Sequence, residues 1–144
     1  MKRFSGIIII LFFLGCSQNT ERRNPYLQEI GFRIEINLNL PLYSPLNTPG
    51  NSIYLNTTNA GIRGVFVTNT GFDLVALEAS CPNHTPNNCS TMEAVGQTAQ
   101  CSCEGYEYSL FTGQQLNRPN DGERYFDMLI YNTARSGSTV VISN

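Results

Sequence analysis

The sequence predicts an all-β domain, a small antiparallel sandwich or barrel, on three observations. Phe32, Ile34, Ile36, Leu38 and Leu40 alternate with Arg33, Glu35, Asn37 and Asn39, the period of a half-buried strand. Short apolar stretches then recur at close spacing between turn signals such as Asn69-Thr70-Gly71, Asp121-Gly122 and Ser136-Gly137. No stretch long enough for an ordinary helix carries a helical period. Many short strands without helices point to a sheet packed on, or closed around, its own core.

The first strand covers residues 32–40, and Pro41, Pro45 and Pro49-Gly50 break it into a loop. Further strands are expected at 52–56, 64–68, 72–79, 98–101, 106–111, 125–131 and 139–142, with a hairpin-like stretch between Cys89 and Cys101. Tyr106, Tyr108, Phe111, Tyr125, Phe126 and Tyr131 are expected to pack as core and cross-strand partners. The 144 residues suffice for one core. Only 14% are charged and 41% are hydrophobic, with 12 Gly and 7 Pro, which argues against disorder and coiled coil. Nine basic against 11 acidic residues, with Lys2 the sole lysine, leave no basic footprint for nucleic acid.

Ahead of that domain, Lys2 and Arg3 precede an apolar run from Ile7 to Leu14, too short to span a bilayer and ordered like a secretory signal. The tetrad Phe13-Leu14-Gly15-Cys16 resembles the lipobox of bacterial lipoproteins, which implies that residues 1–15 are removed and Cys16 is lipidated. Residues 16–31 then form the lipidated N-terminus and tether, polar and without core, and residues 32–144 the β domain. Losing Lys2 and Arg3 takes the net charge from −2 to −4. The protein is expected to be exported and held on a membrane by its lipid. Ser17, where an aspartate often marks inner-membrane retention, favours the outer membrane.

Export places Cys81, Cys89, Cys101 and Cys103 in an oxidising compartment, where they allow three disulfide connectivities. A bond between near neighbours Cys101 and Cys103 is sterically the poorest, and the other two stay open.

Their surroundings are more specific. Cys81-Pro82-Asn83-His84 and Cys101-Ser102-Cys103-Glu104-Gly105, the latter followed by Tyr106-Glu107-Tyr108-Ser109-Leu110-Phe111-Thr112-Gly113, resemble the two cluster-binding loops of the Rieske family. Rieske domains hold a 2Fe–2S cluster with C-x-H in one loop and C-P-x-H-G in the other, two thiolates on one iron and two imidazoles on the second. The flanking VFVTNTGFDLVALEAS, the Thr-Gly turn and the closing GERYFDMLIYNT and STVVISN are similar to that family's strands. The resemblance implies that Cys81 and Cys101, each on a loop at one end of the domain, are the thiolate ligands, and that Cys89 and Cys103 are an accessory pair joined by a disulfide. It also exposes a degenerate ligand set. Asn83 stands where the first histidine belongs, His84, the chain's single histidine, is one residue late, and Glu104 replaces the second histidine.

Three readings follow. In the first, Cys81, His84, Cys101 and Glu104 keep a modified 2Fe–2S cluster that moves single electrons to a redox partner. In the second, the cluster is lost and the loops are stapled by Cys89 with Cys103 and Cys81 with Cys101, leaving a binding or structural module. That reading is preferred, because vacant thiols in an oxidising space pair. In the third, Cys81, His84, Cys101 and Cys103 bind zinc, for which C-x-C is a poor spacing.

Other motifs are weaker. Asp121, Glu123 and Asp127 resemble a calcium cluster but read first as a turn. Ser80, Ser90 and Ser102 stand near His84 in sequence without a nucleophile elbow, and no P-loop, dinucleotide fingerprint or HExxH is present. No independent catalytic activity is expected, at most an electron-transfer component.

Overall fold

The computed structural model describes residues 23–144, so the expected leader and lipidation site Cys16 lie outside the described residues. These fold into strands β1 (Arg33–Asn37), β2 (Ser52–Leu55), β3 (Val65–Asn69), β4 (Leu74–Glu78), β5 (Glu93–Val95), β6 (Thr98–Gln100), β7 (Glu107–Ser109), β8 (Ile130–Ser136) and β9 (Thr139–Ser143), with a short 3-10 turn at Ser44–Asn47. Every pairing is antiparallel. One sheet has six strands in the order β1-β9-β8-β4-β3-β2, and the other has three in the order β5-β6-β7. Among the described residues no helix is long and apolar enough to cross a membrane.

The larger sheet curls, because residues from both of its edges share one core. Ile36 of β1 and Leu55 of β2 pack in the same cluster as Val65, Val67, Leu74, Ala76, Val140 and Ile142. Strand periodicity sends the alternate residues of β3 and β4 the other way. Phe66 and Leu77 join Ala79, Ala99, Tyr108, Leu110 and Met128 in a second core beneath the three-stranded sheet. Both faces of β3 and β4 are therefore buried, which is why Val65-Phe66-Val67 and Leu74-Val75-Ala76-Leu77 read as continuous apolar runs. The second core ends in Cys81 and Cys101, both fully buried, so the site grows from the hydrophobic interior rather than from the surface.

Four expectations are adjusted. The first strand stops at Asn37, whose carbonyl accepts from Leu40 N–H and whose side chain accepts from Asn39 N–H, and this turn puts Leu40 into solvent while Leu38 stays buried. The strand expected at 125–131 begins only at Ile130. The segment before it is tied to loops instead, by Phe126 to Asn83, Met128 N–H to Gly113 C=O and Glu78 N–H to Leu129 C=O. Strand β5 occupies the hairpin-like stretch, and all three of its residues are exposed, so no apolar pattern marks it. Part of the segment expected as a tether packs on the domain instead: Leu27 is buried, Asn24 Nδ2 donates to Pro82 C=O at 2.7 Å, and Tyr26 lies edge-on to Phe126.

Candidate metal centre

Two tight turns build the site, and each delivers its first and fourth residues to the same place. Past β4, Ser80 bridges to Thr91 and Cys81 N–H donates to Ser90 C=O, which fixes the start of the turn Cys81-Pro82-Asn83-His84. Between β6 and β7, Cys101 N–H donates to Tyr106 C=O and Gly105 N–H to Cys101 C=O, closing the turn that carries Glu104. Gly105 takes φ 73°, a left-handed conformation suited to glycine.

Sulfur, nitrogen and oxygen meet between the turns. Donor atoms of Cys81, His84, Cys101 and Glu104 all lie within 4.8 Å of one another. Cys101 Sγ is 3.1 Å from Glu104 Oε2 and 3.5 Å from His84 Nε2, His84 Nε2 is 3.3 Å from Glu104 Oε2, and Cys81 Sγ is 3.9 Å from that same oxygen. The thiols are buried, while the His84 and Glu104 side chains are 15% and 34% exposed, so the group opens on one side.

Local hydrogen bonds arrange these groups. A carbonyl only accepts, so the 3.0 Å contact of His84 Nδ1 with Thr85 C=O places a ring proton on Nδ1 and turns Nε2 toward the sulfur and the carboxylate. The two thiols titrate as a pair. The hydrogen bond from Cys101 holds Cys81 below the usual thiol range, against burial, while that bond and burial push Cys101 up. Burial opposes charge on His84, but its bonds to Thr85 and Cys101 and the Glu104 carboxylate outweigh it and raise its pKa.

Asn83, at the position of the resemblance's first histidine, faces elsewhere. Its Oδ1 accepts from Phe126 N–H at 2.7 Å, and its Nδ2 donates to Phe126 C=O at 3.0 Å and to Tyr108 Oη at 2.8 Å. It therefore latches the turn to the 124–129 segment, and Tyr108 relays the latch to Cys81, its hydroxyl 3.8 Å from that sulfur. Asn83→Ala is expected to cost about 2 kcal/mol, the worth of these bonds less what water recovers. Urea denaturation measures the loss, and faster amide exchange at Phe126 locates it. Asn83→His, which restores C-x-H, should lose a similar amount, because an imidazole cannot serve both backbone groups.

Cys89 and Cys103 are bonded to each other, whereas Cys81 and Cys101, which the cluster-free reading expected to pair, are free thiols engaged with His84, Glu104 and Tyr108. Cys103 is thus unable to serve as the fourth zinc ligand, and the Glu104 carboxylate takes that place in the group. Asp121 and Asp127 are engaged separately, Asp121 with Tyr125 Oη and Glu123 N–H, Asp127 with Arg118 and Gln115 N–H. The serines are not aimed at His84: Ser90 Oγ bonds to Asn87, Ser102 Oγ donates to Cys89 C=O, and Ser80 is buried. Of the six aromatics, Tyr108 and Tyr131 are fully buried and the other four are half-buried.

Sequence reasoning missed Glu78, the buried end of β4. Its carboxyl group accepts from Ile62 N–H at 2.7 Å, Arg63 N–H at 2.9 Å, Ser80 N–H at 2.8 Å and Tyr131 Oη at 2.5 Å. Gly61 makes this approach feasible, since a Cβ there would lie 2.5 Å from Glu78 Oε2. Glu78 shares a strand face with Leu74 and Ala76, and a lone acid on an apolar face was the available signal.

No family model and no curated protein sequence matches the chain. Among solved structures, a chain from a complex of reduced oxygenase and oxidized ferredoxin in carbazole 1,9a-dioxygenase is similar over 67% of this chain and 82% of its own, at 19% identity and a TM-score of 0.45.

Proposed function

We propose that this chain is an exported, lipid-anchored Rieske-like module that has given up the 2Fe–2S cluster and serves as a stapled binding domain. The observation that carries this reading is the placement of Asn83. The residue at the family's first histidine position is spent on Phe126 and Tyr108, and Glu104 stands at the second. The Cys89–Cys103 bond ties the two loops in the way the resemblance implies. A cluster-bearing electron carrier is the second reading, favoured by the convergence of Cys81, His84, Cys101 and Glu104.

Reduction separates the two. Anaerobic titration of the detergent-extracted protein with dithionite, followed by electron paramagnetic resonance, is expected to show no one-electron centre; a reduced 2Fe–2S signal near one spin per chain contradicts the proposal. The anchor is tested by Cys16→Ser, which should leave the protein soluble or uncleaved, because acyl chains hold a protein to a bilayer by about 0.8 kcal/mol per buried methylene.

A further inference from the structure

We infer that the four donors form a mononuclear tetrahedral site for one zinc-class divalent cation, with Cys81 and Cys101 thiolates, His84 Nε2 and Glu104 Oε2 as its ligands. The inference rests on the cluster-free reading and adds to it what the vacated position binds.

Spacing decides the nuclearity. Around a single tetrahedral ion with bonds of about 2.3 Å to sulfur and about 2.0–2.1 Å to nitrogen or oxygen, neighbouring donors lie about 3.3–3.8 Å apart. The distances here are 3.1, 3.3, 3.5 and 3.9 Å, and no pair exceeds 4.8 Å. In a two-iron cluster, a thiolate on one iron and a nitrogen or oxygen on the other point away from each other across the whole iron–sulfide core, so all such cross pairs lie beyond about 5 Å. Three of these contacts, Cys101 with His84, Cys101 with Glu104 and Cys81 with Glu104, are cross pairs of that kind. The space between the turns accommodates one ion and leaves no room for a core with bridging sulfides.

The surroundings fit a metal. The hydrogen bond to Thr85 C=O orients the imidazole as carbonyl partners orient zinc-bound histidines. Two thiolates, an imidazole and a carboxylate suit a borderline-soft cation such as zinc(II) over magnesium or calcium, which prefer oxygen alone. Binding exchanges the two thiol protons for the cation and involves no electron transfer.

The test is cobalt(II) loading of the full chain, extracted in detergent under anaerobic conditions and stripped with a chelator. The expected result is one cobalt per chain with the intense visible bands of a tetrahedral thiolate site, displaced by one equivalent of zinc. Glu104→Gln, an isosteric change on a partly exposed turn, and His84→Ala should each weaken zinc at least tenfold while circular dichroism stays unchanged. No uptake, whether the two thiols are free or joined to each other, or variants that bind as the parent does, overturns the inference and leaves the cluster-free reading standing. Two irons with acid-labile sulfide in the isolated protein overturn both.

Discussion

Glu78→Ala is expected to cost about 4 kcal/mol, a large part of the 5–15 kcal/mol that holds a domain of this size together. Alanine would leave Ile62 N–H, Arg63 N–H, Ser80 N–H and Tyr131 Oη without their acceptor at a position closed to water. The damage reaches the site, because Ser80 directly precedes Cys81. Glu78→Gln keeps one accepting oxygen but sets an amide NH₂ against donors, so it should recover only part of the loss. Urea midpoints of the three proteins give the order wild type, Gln, Ala. An alanine variant as stable as the parent would remove Glu78 from the account of how the first turn is held.

The second large effect belongs to the staple. Replacing both Cys89 and Cys103 with serine removes a cross-link between positions 14 apart in sequence, for which chain entropy gives about 3 kcal/mol. The two turns would then keep Ser102 Oγ to Cys89 C=O, the link from Asn83 to Tyr108 and the contacts of the site itself. With the loops freed, Cys81 and Cys101 should oxidise more readily when oxidised glutathione is supplied, two thiols passing two electrons and two protons to it. Peptide mapping without reduction reads this directly. An unchanged urea midpoint in the double serine variant would show that the cross-link constrains little.

How far the sequence could be read depended on whether a residue's role is local. Alternation marked β1 because one of its faces is exposed, and the unbroken runs of β3 and β4 marked strands buried on both faces. Tyr125 and Phe126 suggested a strand they do not form. Their aromatic character serves a loop held by Asn83, 43 residues away, and no local pattern encodes that bond. The four donors were named from the resemblance, which put Cys81, Cys101 and Glu104 at ligand positions and His84 one residue past one, and the two turns bring all four together. Tyr108 was expected in the core and is there, but its hydroxyl's place between Asn83 and Cys81 emerges only when the turns are folded together.

The proposed function has a scaffold resembling the Rieske domains put the same two turns to a use other than holding a 2Fe–2S cluster. Its most direct test is the iron and acid-labile sulfide content of the protein purified anaerobically in detergent from cells that mature other iron–sulfur proteins. The account predicts no labile sulfide, and Cys89 linked to Cys103 in every preparation. Two irons and two sulfides per chain would contradict it.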